Sequence, residues 1–203
     1  MSRRSYPGGG VELDLYGGYN GSIGEAGSYT FGFYGYAYPG ANLREANCPS
    51  AAFAPPCGVL PDQRWNTLEL NAGIGWKWLA YKLSVSVTDY FGATASVGYS
   101  GNTRGTLYHD LSATLPLHDR LNLVVHAGWT DIRARLNGWD PSYADWRAAL
   151  AMTFEGSWNA SIGVSGANNN HFFRPPTGGL SLTDGATRAL NRTTAVLQAG
   201  KTF

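Results

Sequence analysis

Residues 68–87 read LELNAGIGWKWLAYKLSVSV. Up to Trp76 the apolar side chains fall on even numbers: Leu68, Leu70, Ala72, Ile74 and Trp76. From Leu79 onward they fall on odd numbers: Leu79, Tyr81, Leu83, Val85 and Val87. The positions between are mostly polar or glycine. A period of two marks a strand with one apolar face. A phase change that keeps the period marks a hairpin. With Lys77 and Trp78 as a two-residue loop, Trp76 stands opposite Leu79, and both halves present one continuous apolar face. Lys-Trp lacks the Asn-Gly chemistry that favours such turns, so the alternation itself locates the hairpin.

The same alternation recurs along the chain. VELDLYGGYN (11–20) sets Val11, Leu13, Leu15 and Tyr19 against Glu12 and Asp14. SYTFGFYGYAY (28–38) sets Tyr29, Phe31 and Phe33 against small and tyrosyl positions. TLYHDLSATLPL (106–117) sets Leu107, Leu111, Ala113 and Leu115 against Asp110, Ser112 and Thr114. LNLVVHAGW (121–129) sets Leu121, Leu123, Val125, Ala127 and Trp129 against Asn122 and His126. ADWRAALAMTF (144–154) sets Trp146, Ala148, Leu150, Met152 and Phe154 against Asp145 and Arg147. WNASIGVS (158–165) and the terminal TAVLQAGKTF continue the series. The pattern predicts about nine strands and no helix of convincing period. Each strand is near the roughly 9–11 residues a tilted membrane strand needs.

Composition agrees with an all-β chain facing lipid. Of 203 residues only 14% are charged, 13% are aromatic and 27 are glycine. The charged share is well below the roughly 25% of an average soluble domain. The net charge of +1 points to no nucleic-acid partner. No run approaches the roughly 18 apolar residues of a spanning helix. MSRRSYPGGG (1–10) carries Arg3 and Arg4 but no apolar stretch that would complete a signal peptide. Residues 1–10 are expected to be disordered or an artefact of the start, and 11–203 to form a single barrel domain.

The connections sort by length. Short ones fall near 20–27, 77–78, 116–120 and 155–157, and long ones near 39–65, 89–105, 130–143 and 166–193. Short turns at one end and long loops at the other are the habit of antiparallel outer-membrane barrels. Tyr19, Trp76, Trp78, Tyr81, Trp129, Phe154 and Trp158 lie near strand ends, where interfacial aromatic girdles sit. The first visible strand leads into a short turn, so an odd number of strands is expected to precede it in a closed barrel. The chain is therefore expected to lack its N-terminal strands.

LDLYGGYNGSIG (13–24), YGYAYPGAN (34–42), DYFG (89–92), a later Trp-Arg strand and the terminal KTF carry a family resemblance. In this ordered series the chain resembles the TorF-type family of outer-membrane porins, also described as the conserved uncharacterised Gcw_chp family. The resemblance covers most of residues 11–203. It implies a barrel of about twelve strands, roughly three more than are visible, with a porin function and no known catalytic residue. The insertion around Cys48 and Cys57 departs from the pattern.

The candidates for chemistry are few. Cys48 and Cys57 lie in a proline-rich loop of a chain read as exported, and a disulfide is expected. Free or metal-binding thiols are the alternatives. The polar face supplies the expected lumen: Glu12, Asp14, Glu69, Lys82, Asp110, His126, Asp145 and Arg147. Such mixed charges either neutralise one another or line a channel and set its ion preference. Asp110, Ser112 and His126 share that face; a register with Asp110 opposite His126 would gather a Ser-His-Asp set. All three are also ordinary lumen residues. His109 lies on the other face, His118 and His171 lie in connections, and no metal-ligand spacing arises. SGANNNHFFRPPTGG (165–179) reads as a flexible external loop, with cation or sugar contact by Asn168–Asn170 as the alternative.

The expected protein is a bacterial outer-membrane barrel passing small hydrophilic solutes or ions, not an enzyme, and needing no cofactor. A surface-binding barrel with a plugged lumen, a lipid hydrolase using Ser112, His126 and Asp110, and a soluble ligand-binding barrel are the alternatives. The expected partners are outer-membrane lipid, small solutes, and the barrel-assembly machinery, which would read the C-terminal strand through Phe203. Both a monomer and a homo-oligomer fit an apolar outer face.

Overall fold

The computed structural model describes residues 6–46, 60–174 and 186–201. Cys48, Cys57 and Phe203 lie outside these residues, as does most of the predicted external loop beyond Arg174. Nine strands are described: β1 (Leu13–Ile23), β2 (Gly27–Ala37), β3 (Thr67–Trp76), β4 (Leu79–Ser86), β5 (Leu107–His118), β6 (Leu121–Asp131), β7 (Tyr143–Thr153), β8 (Trp158–Ala167) and β9 (Thr194–Lys201). They form one antiparallel sheet in sequence order. β1 and β9 do not pair with each other, so the sheet is not closed.

The hairpin read from residues 68–87 is present. Trp76 faces Leu79, Ile74 faces Tyr81 and Leu70 faces Val85. Lys77 turns the corner at φ 54°, the left-handed conformation that tight hairpins need. The predicted phases hold in every later strand. Leu111 faces Ala127, Val125 faces Ala148, and Ile162 faces both Leu150 and Leu197.

Several boundaries differ by a few residues from the sequence reading. β1 begins at Leu13, so Glu12 precedes the strand, and β1 continues to Ile23. Its turn is thereby cut to residues 24–26. His118 belongs to β5, beyond a register shift after Pro116, whose missing N–H interrupts the ladder. Tyr6 and Pro7, inside the stretch expected to be disordered, are packed. Tyr6 stacks on Tyr38 at 4.6 Å and meets Trp65 edge-on at 5.6 Å. Pro7 is fully buried, and its carbonyl accepts from Asn42 N at 2.9 Å. Two aromatic contacts hold Tyr6 against the sheet end.

The sheet is inverted relative to a soluble protein. Leu15, Ile162 and Leu197 are 69%, 59% and 77% exposed, whereas Ser84, Thr130 and Ala149 on the polar face are 4%, 0% and 3% exposed. Contacts that skip a strand lie on the polar side. Lys82 of β4 sits over the Tyr34 ring of β2 at 5.5 Å, and Tyr108 of β5 reaches Asp145 of β7 at 3.3 Å. The sheet therefore bends toward its polar face. Among the described residues the apolar face carries charge only at strand ends, at Asp131 and Lys201. His109 on that face has its Nδ1 2.7 Å from the Tyr81 hydroxyl.

Well-buried residues gather at the end with the long connections: Ala41, Ala93, Thr103, Thr106, Ile132, Ala134 and Pro141. A small core of packed loops thus caps one end of the sheet. At the other end, turns of a few residues leave little to pack.

Glycine admits close approach at one place in particular. A Cβ on Gly163 would stand 2.5 Å from both Ala148 O and Ala149 Cβ. Paired residues ordinarily hold their Cβ atoms about 4.5–5.5 Å apart. Gly163→Ala is expected to destabilise the fold by about 1–3 kcal/mol through overpacking, read as a lower midpoint of urea unfolding in detergent.

Candidate functional site on the polar face

Register decides which polar residues meet. Ser112 faces His126, Asp110 faces Gly128, His126 faces Arg147 and Gly128 faces Asp145. The pairing that would set Asp110 opposite His126 is thus displaced by one face-sharing position. Gly128 provides the space: a Cβ there would lie 2.4 Å from the Tyr108 hydroxyl and 2.5 Å from Asp145 Oδ2. Asp110 and Asp145 both reach His126 across this gap.

His126 lies between the two carboxylates. Its Nδ1 is 3.1 Å from Asp110 Oδ1 and its Nε2 is 2.9 Å from Asp145 Oδ1. A ring that donates from both nitrogens satisfies both acids. The Tyr108 hydroxyl sits 3.0 Å from Nε2 and 3.3 Å from each Asp145 oxygen. Ser112 Oγ donates to Asp110 Oδ1 at 2.5 Å, and Lys82 Nζ lies 3.9 Å from Asp110 Oδ2. Arg147 is held by neutral partners: its Nη2 donates to Gln198 Oε1 at 2.5 Å and to Ser161 Oγ at 3.5 Å.

The structure brings Ser112, His126 and Asp110 together, but not as a relay. In a relay the serine addresses one imidazole nitrogen and the aspartate the other. Here Ser112 and Asp110 both approach Nδ1, at 3.4 and 3.1 Å, and the serine proton is directed to the carboxylate. The second nitrogen is occupied by Asp145 and Tyr108. What the geometry shows is a hydrogen-bonded cluster in which each polar atom of His126 faces a carboxylate.

The remaining predicted lumen residues are dispersed. Asp14 lies on β1 beside Tyr36, and Glu69 lies on β3 beside Tyr34 and Ser86. Neither has an ion-pair partner among the described residues. At polar-face strand positions Asp14, Glu69, Asp110 and Asp145 stand against Lys82 and Arg147, an acidic excess. A hollow of about 380 Å³ lies over Asn20, Thr30, Lys82, Asp110 and Ser112. No group of three or more His, Cys, Asp or Glu suited to a metal occurs among the described residues.

Tyr108, Gln198 and Ser161 were not among the predicted site residues. Parity would have found them, since each lies on the polar phase of its strand. The run Asn168–Asn170 serves the backbone. Asn168 Oδ1 accepts from Ala144 N at 2.8 Å, and Asn169 Nδ2 donates to Ser142 O at 2.8 Å. Asn169 also caps the single turn α1 (Asn170–Phe173). The described part of this loop is pinned by its asparagines. Of the predicted girdle, Tyr19, Trp76, Trp78, Phe154 and Trp158 are exposed toward the short turns, with Tyr81 nearby, and Trp129 is exposed toward the long loops.

Residues 1–189 match a family of bacterial proteins of unknown function. The chain belongs to the Gcw_chp family. No curated protein and no solved structure matches it significantly. In this Gcw_chp member the polar network has to be understood from its own geometry. Removing the imidazole leaves Asp110 and Asp145 facing each other without a bridge. His126→Ala is expected to lower stability by about 1–3 kcal/mol. Adding Asp145→Asn should recover part of that loss, as a non-additive double-mutant cycle in urea unfolding.

Proposed function

We propose that this protein is an outer-membrane β-barrel that passes small hydrophilic solutes or ions along its polar face. The observation that carries this reading is the inverted sheet, with exposed leucine, isoleucine and tryptophan outside and half-buried charge inside. A soluble sheet would cover its apolar face. Lipid covers it without any further protein layer, provided that backbone groups are paired and edges closed. The segregation of short turns from long loops supports the same reading, as does the confinement of outward charges to strand ends.

Strand direction limits how such a sheet could close. Both β1 and β9 run from the long-loop end to the short-turn end, because the sheet has nine alternating strands. Their direct pairing would be parallel. An all-antiparallel barrel needs an odd number of strands between them, which makes the total even, like those of bacterial barrels; the resemblance to TorF-type porins implies roughly three, and so about twelve in all. Such a barrel is narrower than the sixteen-stranded porins that enclose a wide aqueous channel, so the solutes are small. No residue turns over substrate in this mechanism. The acidic excess on the wall raises the local concentration of cations over anions.

Two outcomes test the reading. Ile162→Arg places a charge near the middle of the outer face and should destabilise the bilayer-inserted protein by about 2–4 kcal/mol, measured by urea titration in liposomes. An unchanged midpoint would mean that this face does not meet lipid. In a planar bilayer the protein should give discrete conductance steps with a reversal potential favouring potassium over chloride. Lys82→Glu should shift that potential further toward cations. A conducting channel with an unshifted potential would remove Lys82 from the pathway.

A further inference from the structure

The connection between β4 and β5 does not project away from the sheet. Residues 89–92, DYFG, fold over the polar side at the long-loop end. On one flank Phe91 N donates to the Oγ1 of Thr67, on β3, at 2.8 Å. The Phe91 ring lies 5.2 Å from Tyr36, on β2, and 6.3 Å from Tyr38. On the other flank Tyr90 is a neighbour of Tyr143, on β7. Burial first, and Tyr143 second, push the Tyr90 phenol well above its ordinary range. Two consecutive side chains therefore reach from β2 and β3 to β7, across the concave side of the sheet.

The segment is held rigidly. Tyr90 N donates to Thr103 Oγ1 at 2.8 Å, Thr103 N to Asp89 Oδ1 at 2.9 Å, and Thr103 Oγ1 to Ala93 O at 2.6 Å. Thr103 is fully buried. Phe91 adopts φ 45°, ψ 48°, a left-handed conformation uncommon for a bulky residue. Gly92 follows at φ 74°, where a Cβ would lie 2.8 Å from Arg64 O. A glycine at position 91 would hold the same turn with less strain. What phenylalanine adds is its ring against Tyr36 and Tyr38. Strain that the surroundings sustain points to a role for the residue.

We propose that residues 89–92 form a crossbar over the polar face, and that Tyr90 and Phe91 set the size limit for whatever passes along it. This rests on the conduit reading. Solutes arriving from the long-loop end meet the two rings before they reach the polar hollow over Lys82, Asp110 and Ser112. The acceptable solute is one small enough to pass beside an aromatic bar; wall charge acts only after that.

The test is the double variant Tyr90→Ala/Phe91→Gly of the full protein, refolded in detergent and inserted in planar bilayers and liposomes. Folding is checked by heat-modifiable gel mobility, and glycine suits the backbone at position 91. Single-channel conductance should rise by about two-fold or more, and liposome swelling should admit longer sugar oligomers. Phe91→Tyr, which keeps the ring, should behave as the parent. Conductance in the variant alone would support both the crossbar and the conduit. Equal, non-zero conductance in variant and parent would overturn the crossbar and leave the conduit standing. Folded but silent protein in both cases would overturn both.

Discussion

The structure depends on one constraint, the fixed alternation of side chains along an antiparallel ladder. Once Trp76 is paired with Leu79, every later pairing assigns each residue to one of two faces. Slippage by a single residue anywhere would send leucines among the carboxylates and Asp110 or Arg147 outward. Such an error carries the full desolvation penalty of an unpaired charge. The ionic cluster around His126 is therefore also a register lock: it forms only when β5, β6 and β7 are aligned as they are.

That constraint explains why much of the fold was legible in the sequence. Alternation needs only the identities of neighbours, and it placed Leu111, Ala127, Leu150 and Ile162 on one face without knowledge of tertiary structure. It also placed Asp110, Ser112 and His126 on the other. It could not give the stagger between strands. Ser112 stands opposite His126 because of where the β5–β6 turn sits, and the shift at Pro116 adjusts that turn. A two-residue difference in stagger separates a relay from a neutralised cluster. Stagger is a property of turns, and these turns lack distinctive residues.

The loops were less legible, for another physical reason. Residues such as Thr103, Asp89 and Asn169 act through hydrogen bonds to backbone groups distant in sequence. Such bonds leave no periodic trace. DYFG read only as a family motif and NNN as part of a flexible external loop, yet both segments are anchored by specific partners. The stacking of Tyr6 on Tyr38 is likewise invisible to any window shorter than the separation it spans. The odd number of strands, by contrast, could be counted from the pattern and then gave the directions of both edges.

Strand order has a consequence for how the protein is made. Every pairing in the sheet joins segments adjacent along the chain. Each hairpin closes a loop of modest length, and the entropy lost on closure grows only logarithmically with that length. Growth can proceed one strand at a time, with the latest strand templating the next. Local connectivity of this kind favours fast folding. In the proposed barrel, joining the outermost strands into a ring would be the one step with no neighbour in sequence to guide it. The rate of maturation would then rest on that seam, and a catalyst that holds the growing edge would act there.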